Sequence, residues 1–140
     1  MAGDSKTPLA KKLGIKPGFR LRRVNPPPEL DDWLAPLPEG VTDAPLSKGE
    51  ADVILFFTDS ASELKGSIAG LNHSLHPDGG LWVCWPKKAS KAPTDLNDGV
   101  VREVGLATGL VDNKVCAVSE VWSALRFVYR LEDRLKAANR

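Results

Sequence analysis

Apolar and polar positions show no period over Met1–Thr7 and only short patterns up to residue 50, and then a sustained pattern begins. Asp52–Thr58 is a short apolar run rich in Val, Ile and Phe, bounded by polar residues, which predicts a buried strand. Ser60 and Glu63 form a capping-box pattern in which each side chain satisfies a backbone donor at a helix start. Leu64, Ile68, Leu71 and Leu75 recur at helical spacing and give one apolar stripe. Pro77-Asp78-Gly79-Gly80 reads as the stop of that helix and a turn. Leu81–Trp85 is apolar at every position, as expected of a parallel strand covered on both faces.

The flanking regions extend this strand–helix–strand unit. Phe19–Val24 alternates as a strand, Asn25-Pro26-Pro27-Pro28 breaks it, and Glu29–Leu34 is a short helix started by Pro28. Val41–Leu46 reads as an edge strand, the position to which Pro45 confines it. Downstream, Thr94 is the expected cap of a helix reaching Thr108, with Leu96, Val100, Val104 and Ala107 buried and Gly109 ending it. The next strand is expected from Asn113 or Lys114 to Val118. Trp122–Arg130 then returns after the turn at Ser119-Glu120, so the last two strands pair antiparallel. The fold class is α/β: a three-layer Rossmann-like sandwich with a mostly parallel sheet and a C-terminal antiparallel hairpin. The expected organisation is a mobile segment over 1–12, a single domain over 13–130 and a charged extension over 131–140.

Composition narrows the function classes. At 140 residues the chain can bury one core, and 42% hydrophobic with 26% charged residues is ordinary for a globular protein. A net charge of +1 supplies no overall field to recruit nucleic acid or an anionic membrane. No apolar run approaches the ~20 residues of a transmembrane helix, and the lysines near the start precede no apolar stretch of a signal peptide. Cys84 and Cys116 both fall in expected strands and read as buried, reduced thiols, which points to a cytoplasmic location. His73 and His76 have the spacing to share a helix face near its C-terminus, but no third ligand accompanies them, so no metal site is expected.

Two resemblances emerge from particular motifs. Leu13-Gly14-Ile15-Lys16-Pro17-Gly18 before the first strand resembles the lead-in of class I S-adenosylmethionine-dependent methyltransferases. The run from Leu75 to Val83 resembles the helix, Pro-Gly-Gly, strand passage later in that fold, and the final hairpin resembles its reversed strand. More closely, Trp85-Pro86-Lys87-Lys88, Val101–Leu106, Gly109–Val118 and Trp122–Phe127 resemble a family of small uncharacterised bacterial proteins known as a domain of unknown function. The methyltransferase likeness implies a Gly-rich turn after the first strand, yet this chain has Asn25-Pro26-Pro27-Pro28, whose prolines lack amide donors. It also implies an acid at the end of the second strand to hold ribose hydroxyls, for which Asp43 is the candidate. The Asn-Pro-Pro sequence echoes a loop of amino-methyltransferases but lacks the aromatic residue that follows there; a rigid polyproline turn is the alternative.

The expectation is therefore a methyltransferase-like domain without the usual cofactor, non-catalytic and binding a small anion or a protein partner. The alternative is a divergent enzyme, a methyltransferase or one acting on an anionic small molecule. Ligands of open α/β sheets bind beyond the strand carboxyl ends. That rule selects Thr58, Asp59 and Ser60 after one strand and Trp85, Lys87 and Lys88 after its neighbour, with Asn113 and Lys114 reaching the rim. There a helix N-terminus and two lysines would face an anion, and Trp85 would supply a flat wall.

Overall fold

The computed structural model describes residues 7–44 and 49–138. Six strands form one sheet, β1 (Arg20–Val24), β2 (Thr42–Asp43), β3 (Ala51–Phe57), β4 (Leu75–Pro86), β5 (Leu110–Ala117) and β6 (Trp122–Tyr129), in the order β2-β1-β3-β4-β6-β5. The first four of that order run parallel, and β6 runs antiparallel to both β4 and β5. The helices are α1 (Leu9–Lys12), α2 (Leu30–Leu34), α3 (Ala61–Ser74), α4 (Asp98–Ala107) and α5 (Leu131–Ala138), with a single 3-10 turn at Lys88–Ser90.

The sheet buries both faces because its strands alternate between two cores. Ile54, Phe56, Leu81, Val83, Leu125 and Phe127 pack under α3 and α4. Val53, Leu55, Phe57, Trp82 and Ala124 face α1 and α2. Trp82 is fully buried there, and its indole Nε1–H donates to the Leu13 carbonyl at 2.9 Å, pinning the lead-in segment to the central strand. Ala10 also lies in this core, so the packed part of the chain reaches upstream of Leu13. The extension after Arg130 is an ordered helix as far as Ala138.

Several sequence expectations need correction. Pro77–Gly80 is not a turn; the chain passes from α3 straight into β4 at Leu75, which is buried and pairs with Ala51. The next pair is Val53 with Gly80, so the Pro-Asp-Gly segment is a bulge of β4. His76 accordingly lies in β4 and not on the helix face with His73; its Nδ1 accepts the Asp78 amide at 3.0 Å. The cap of α4 is Asn97, which accepts from the Val100 amide at 2.9 Å, whereas Thr94 is committed elsewhere. Its buried side includes Val101, Val104 and Gly105, and Gly105 is forced: a Cβ there would sit 2.1 Å from the Phe127 ring. Strand β5 starts directly at Leu110, because Gly109 reverses the chain at a φ of 93°. The short edge strand is Thr42–Asp43, and the expected continuation through Leu46 lies outside the described residues.

Both cysteines are free, and the register explains why. They flank Ala124, Cys84 from β4 and Cys116 from β5, so their backbones are two strand spacings apart. That is about 10 Å, beyond disulfide reach. Cys84 is buried as expected, but Cys116 is only half-buried because β5 is the edge strand. Burial raises both thiol pKa values, while Lys12, Lys114 and Lys87 draw that of Cys116 back.

Candidate functional site

Strand order locates the crevice. β2 lies on one side of β1 and β3 on the other, so the chain's winding reverses between β1 and β3. Ligands of such sheets sit beyond the carboxyl ends at that reversal. On the β1 side stands Asn25, at a φ of 53°, followed by the three prolines. On the β3 side stand Thr58, Asp59 and Ser60.

The side chains of this crevice are largely engaged with one another. Arg23, near the end of β1, reaches across to Asp43 at the end of β2, with Nη1 donating to Oδ1 at 2.8 Å. Its Nε lies 3.0 Å from Asp31 of α2, within ion-pair distance although not aligned for a hydrogen bond. Thr58 is buried; its amide donates to the Cys84 carbonyl and its hydroxyl accepts from the Ser60 amide at 3.2 Å. Ser60 caps α3 by accepting from the Glu63 amide at 3.2 Å. The Ala61 amide donates to Asp95 at 2.8 Å, and Thr94 donates to the Asp59 carbonyl at 2.7 Å. The loop ahead of α4 therefore closes over the start of α3 and sets a carboxylate at its positive end.

The structure brings some of the sequence-selected residues together and separates others. Thr58 and Trp85 leave adjacent strands, so Thr58–Ser60 and Trp85–Lys88 do share one end of the sheet. Trp85 belongs to the α3/α4 core with 6% of its surface exposed, and so presents no open wall. Lys87 is half-buried, its amide held by the Val121 carbonyl at 2.7 Å, and Lys88 is exposed. Asn113 and Lys114 lie midway along β5, three strands from β3 and thus about 14 Å away in the sheet direction. They neighbour Arg126 instead, whose Nη1 is 3.4 Å from Asn113 Oδ1.

Sequence reasoning passed over the arginines. Strand alternation puts Arg23 on the face of Phe19 and Leu21 and Arg126 on that of Val128, and marks neither as a site residue. Both are half-buried, and their charged neighbours from α2 and α5, Asp31 and Arg134, lie outside the strands' own pattern. The usable signal was the repeated Arg in Arg20-Leu21-Arg22-Arg23, which is unusual for a strand with a buried face. A depression of about 350 Å³ lies at the crevice itself, beside Leu21, Arg23 and Asp43, and others open elsewhere. One of about 370 Å³, beside Asn72, His73, Thr108 and Tyr129, is at the opposite end of the sheet. One of about 430 Å³ runs between α3 and α4 past Ile68, Val100 and Val104. Among the described residues no cluster of His, Cys, Asp and Glu could hold a metal, and no helix is long and apolar enough to cross a membrane.

Comparison with known proteins agrees with this architecture. A methyltransferase dependent on S-adenosylmethionine from Aquifex aeolicus superposes with a TM-score of 0.64 at 15% identity, over 85% of this chain and 86% of that one. A protein assigned as a type 11 methyltransferase from Sulfolobus solfataricus gives 0.63 at 12% identity, over 87% and 89%. The 1,6-didemethyltoxoflavin-N1-methyltransferase of Burkholderia thailandensis, solved with S-adenosylhomocysteine, gives 0.55 at 12% identity, over 85% and 73%. At such identities the likeness is one of fold. A search of curated proteins finds no match. Residues 10–131 match the family model described as "Protein of unknown function (DUF3052)", and the chain belongs to that family.

Proposed function

We propose that this chain is a methyltransferase-like domain that works by binding and not by methyl transfer. The observation that carries this reading is the pairing of Arg23 with Asp43 and Asp31 beside the Asn25–Pro28 turn. A cofactor cradle at this place needs backbone amides that approach the ligand and a free acid for the ribose. Three successive prolines withhold three amides, and the acid is tied to an arginine. These residues do not fit S-adenosylmethionine in its usual seat.

The mouth bordered by Asp59, Ser60, Lys87 and Lys88, with Thr58 and Trp85 buried beneath it, would then serve as a contact surface for a partner or a small anion. Lys87 and Lys88 carry its positive charge; Ser60 and Asp95 spend two of the helix amides internally. Isothermal calorimetry with S-adenosylmethionine and S-adenosylhomocysteine tests the reading. No saturable heat is expected up to ~1 mM ligand, a limit equivalent to about 4 kcal/mol of binding. Micromolar binding that is lost on replacing Pro26–Pro28 would overturn it.

A further inference from the structure

Arg126 is half-buried like Arg23 and Arg102, but unlike those two it has no acid. It projects from β6 onto the face occupied by Trp82 and lies flat against Gly80 of β4; a Cβ on Gly80 would be 2.3 Å from its Nε and 2.7 Å from Nη2. Directly across on β5 its partner is Lys114. Arg134 of α5, whose Nε donates to the Tyr129 carbonyl of the same strand at 3.3 Å, is close enough for its charge to act on Arg126. The one polar contact of Arg126 is the neutral Asn113 Oδ1 at 3.4 Å, and among the described residues no carboxylate is within ion-pair distance of it.

We propose that Arg126, Arg134 and Lys114 form a site for the phosphate group of a small molecule, with Asn113 at its margin. Three positive side chains grouped without an acid are costly for an isolated domain, because a partly desolvated charge needs a counter-charge. Burial and the charge of Arg134 both push the Arg126 pKa down, the direction an absent counter-ion produces. A planar guanidinium can offer two parallel N–H donors to a phosphate oxygen pair. A tetrahedral dianion also has oxygens left for Lys114 and Arg134, which a single carboxylate has not. Gly80 keeps the strand bare where the guanidinium lies. The site is separate from the strand-end mouth and does not rest on it.

The test uses the full chain and inorganic phosphate, with acetate and chloride at matched ionic strength. Binding is read from the Arg126 Nε–H signal in ¹H–¹⁵N spectra and from phosphate-dependent melting. Expected are a saturable shift with phosphate, a response to acetate at least ~10-fold weaker, loss in Arg126→Gln, weakening by about 3–10-fold in Lys114→Gln and an unchanged response in Lys16→Ala, an exposed lysine of neither site. Should Arg126→Gln not fold, Lys114→Gln together with the Arg126 signal decides. Equal responses in wild type and Lys114→Gln, a shift no larger than chloride gives, or a response abolished by Lys87→Ala overturns the proposal. The last outcome would assign the anion to the mouth instead.

Discussion

Arg23 and Arg126 occupy the same face of one sheet, three strands apart, and satisfy their charges differently. Arg23 stands between two carboxylates delivered by α2 and β2. Arg126 has a lysine as its cross-strand partner and feels the charge of a second arginine. The first arrangement is complete within the chain and ties up the acid at the crevice where relatives of this fold are expected to hold a ligand, although a depression of about 350 Å³ stays open beside it. The second is electrostatically incomplete. Fold likeness alone would direct attention to the first region, whereas the charge balance directs it to the second.

The sharpest way to probe the difference is through two neighbouring glycines of β4, Gly79 in the bulge and Gly80 where pairing resumes. A Cβ at Gly79 would meet the Asp52 and Ala51 carbonyls at 2.7 and 3.0 Å, backbone that cannot withdraw. Gly79→Ala should cost about 1–3 kcal/mol by overpacking, measured by urea unfolding. At Gly80 the added carbon meets only the Arg126 side chain, which can swing away. Gly80→Ala should therefore cost less than about 1 kcal/mol, yet abolish the phosphate response. Equal losses in the two variants would mean that Arg126 is locked in place as structure.

Removing the arginines themselves gives a smaller contrast. The acids around Arg23 are 79% and 89% exposed, so water takes over much of their solvation, and Arg23→Met is expected to cost only about 0.5–1.5 kcal/mol. In phosphate-free buffer Arg126→Met should change stability by less than about 0.5 kcal/mol or raise it, since it removes a partly desolvated charge with no counter-charge. A loss as large as that of Arg23→Met would erase the distinction.

The thiols report the smallest effect. Burial raises the Cys84 pKa well above its ordinary 9.0, so above that pH the unfolded chain releases a proton that the folded chain retains. Stability is then fully present below about pH 9 and falls as pH rises toward the folded value, by at most about 1.4 kcal/mol per pH unit. Cys84→Ala should flatten that decline. Cys116, half-buried on the basic side of the sheet, should react with a thiol reagent in the folded state while Cys84 does not. An unchanged slope in Cys84→Ala would remove the buried thiol as its source.

Much of the architecture follows from local sequence. The seven-residue apolar run, the Ser60 box and the Leu64–Leu71 stripe determine β3 and α3, because strand burial, capping and helical period are properties of adjacent residues. The hairpin at Ser119-Glu120 likewise makes β5 and β6 antiparallel. Local signals failed where two readings are equally good over a few residues. Pro-Asp-Gly-Gly serves as a turn or as a bulge, and only the pairing of Leu75 with Ala51 selects the bulge. Thr94 and Asn97 are both sound caps, and the contact of Thr94 with Asp59, distant in sequence, decides between them. The candidate site was the least legible part. Whether a strand arginine is solvated, paired or left without a counter-charge depends on which strands and helices lie beside it. For Arg23 and Arg126 those neighbours come from β2, α2, β5 and α5, brought together only when the sheet is assembled.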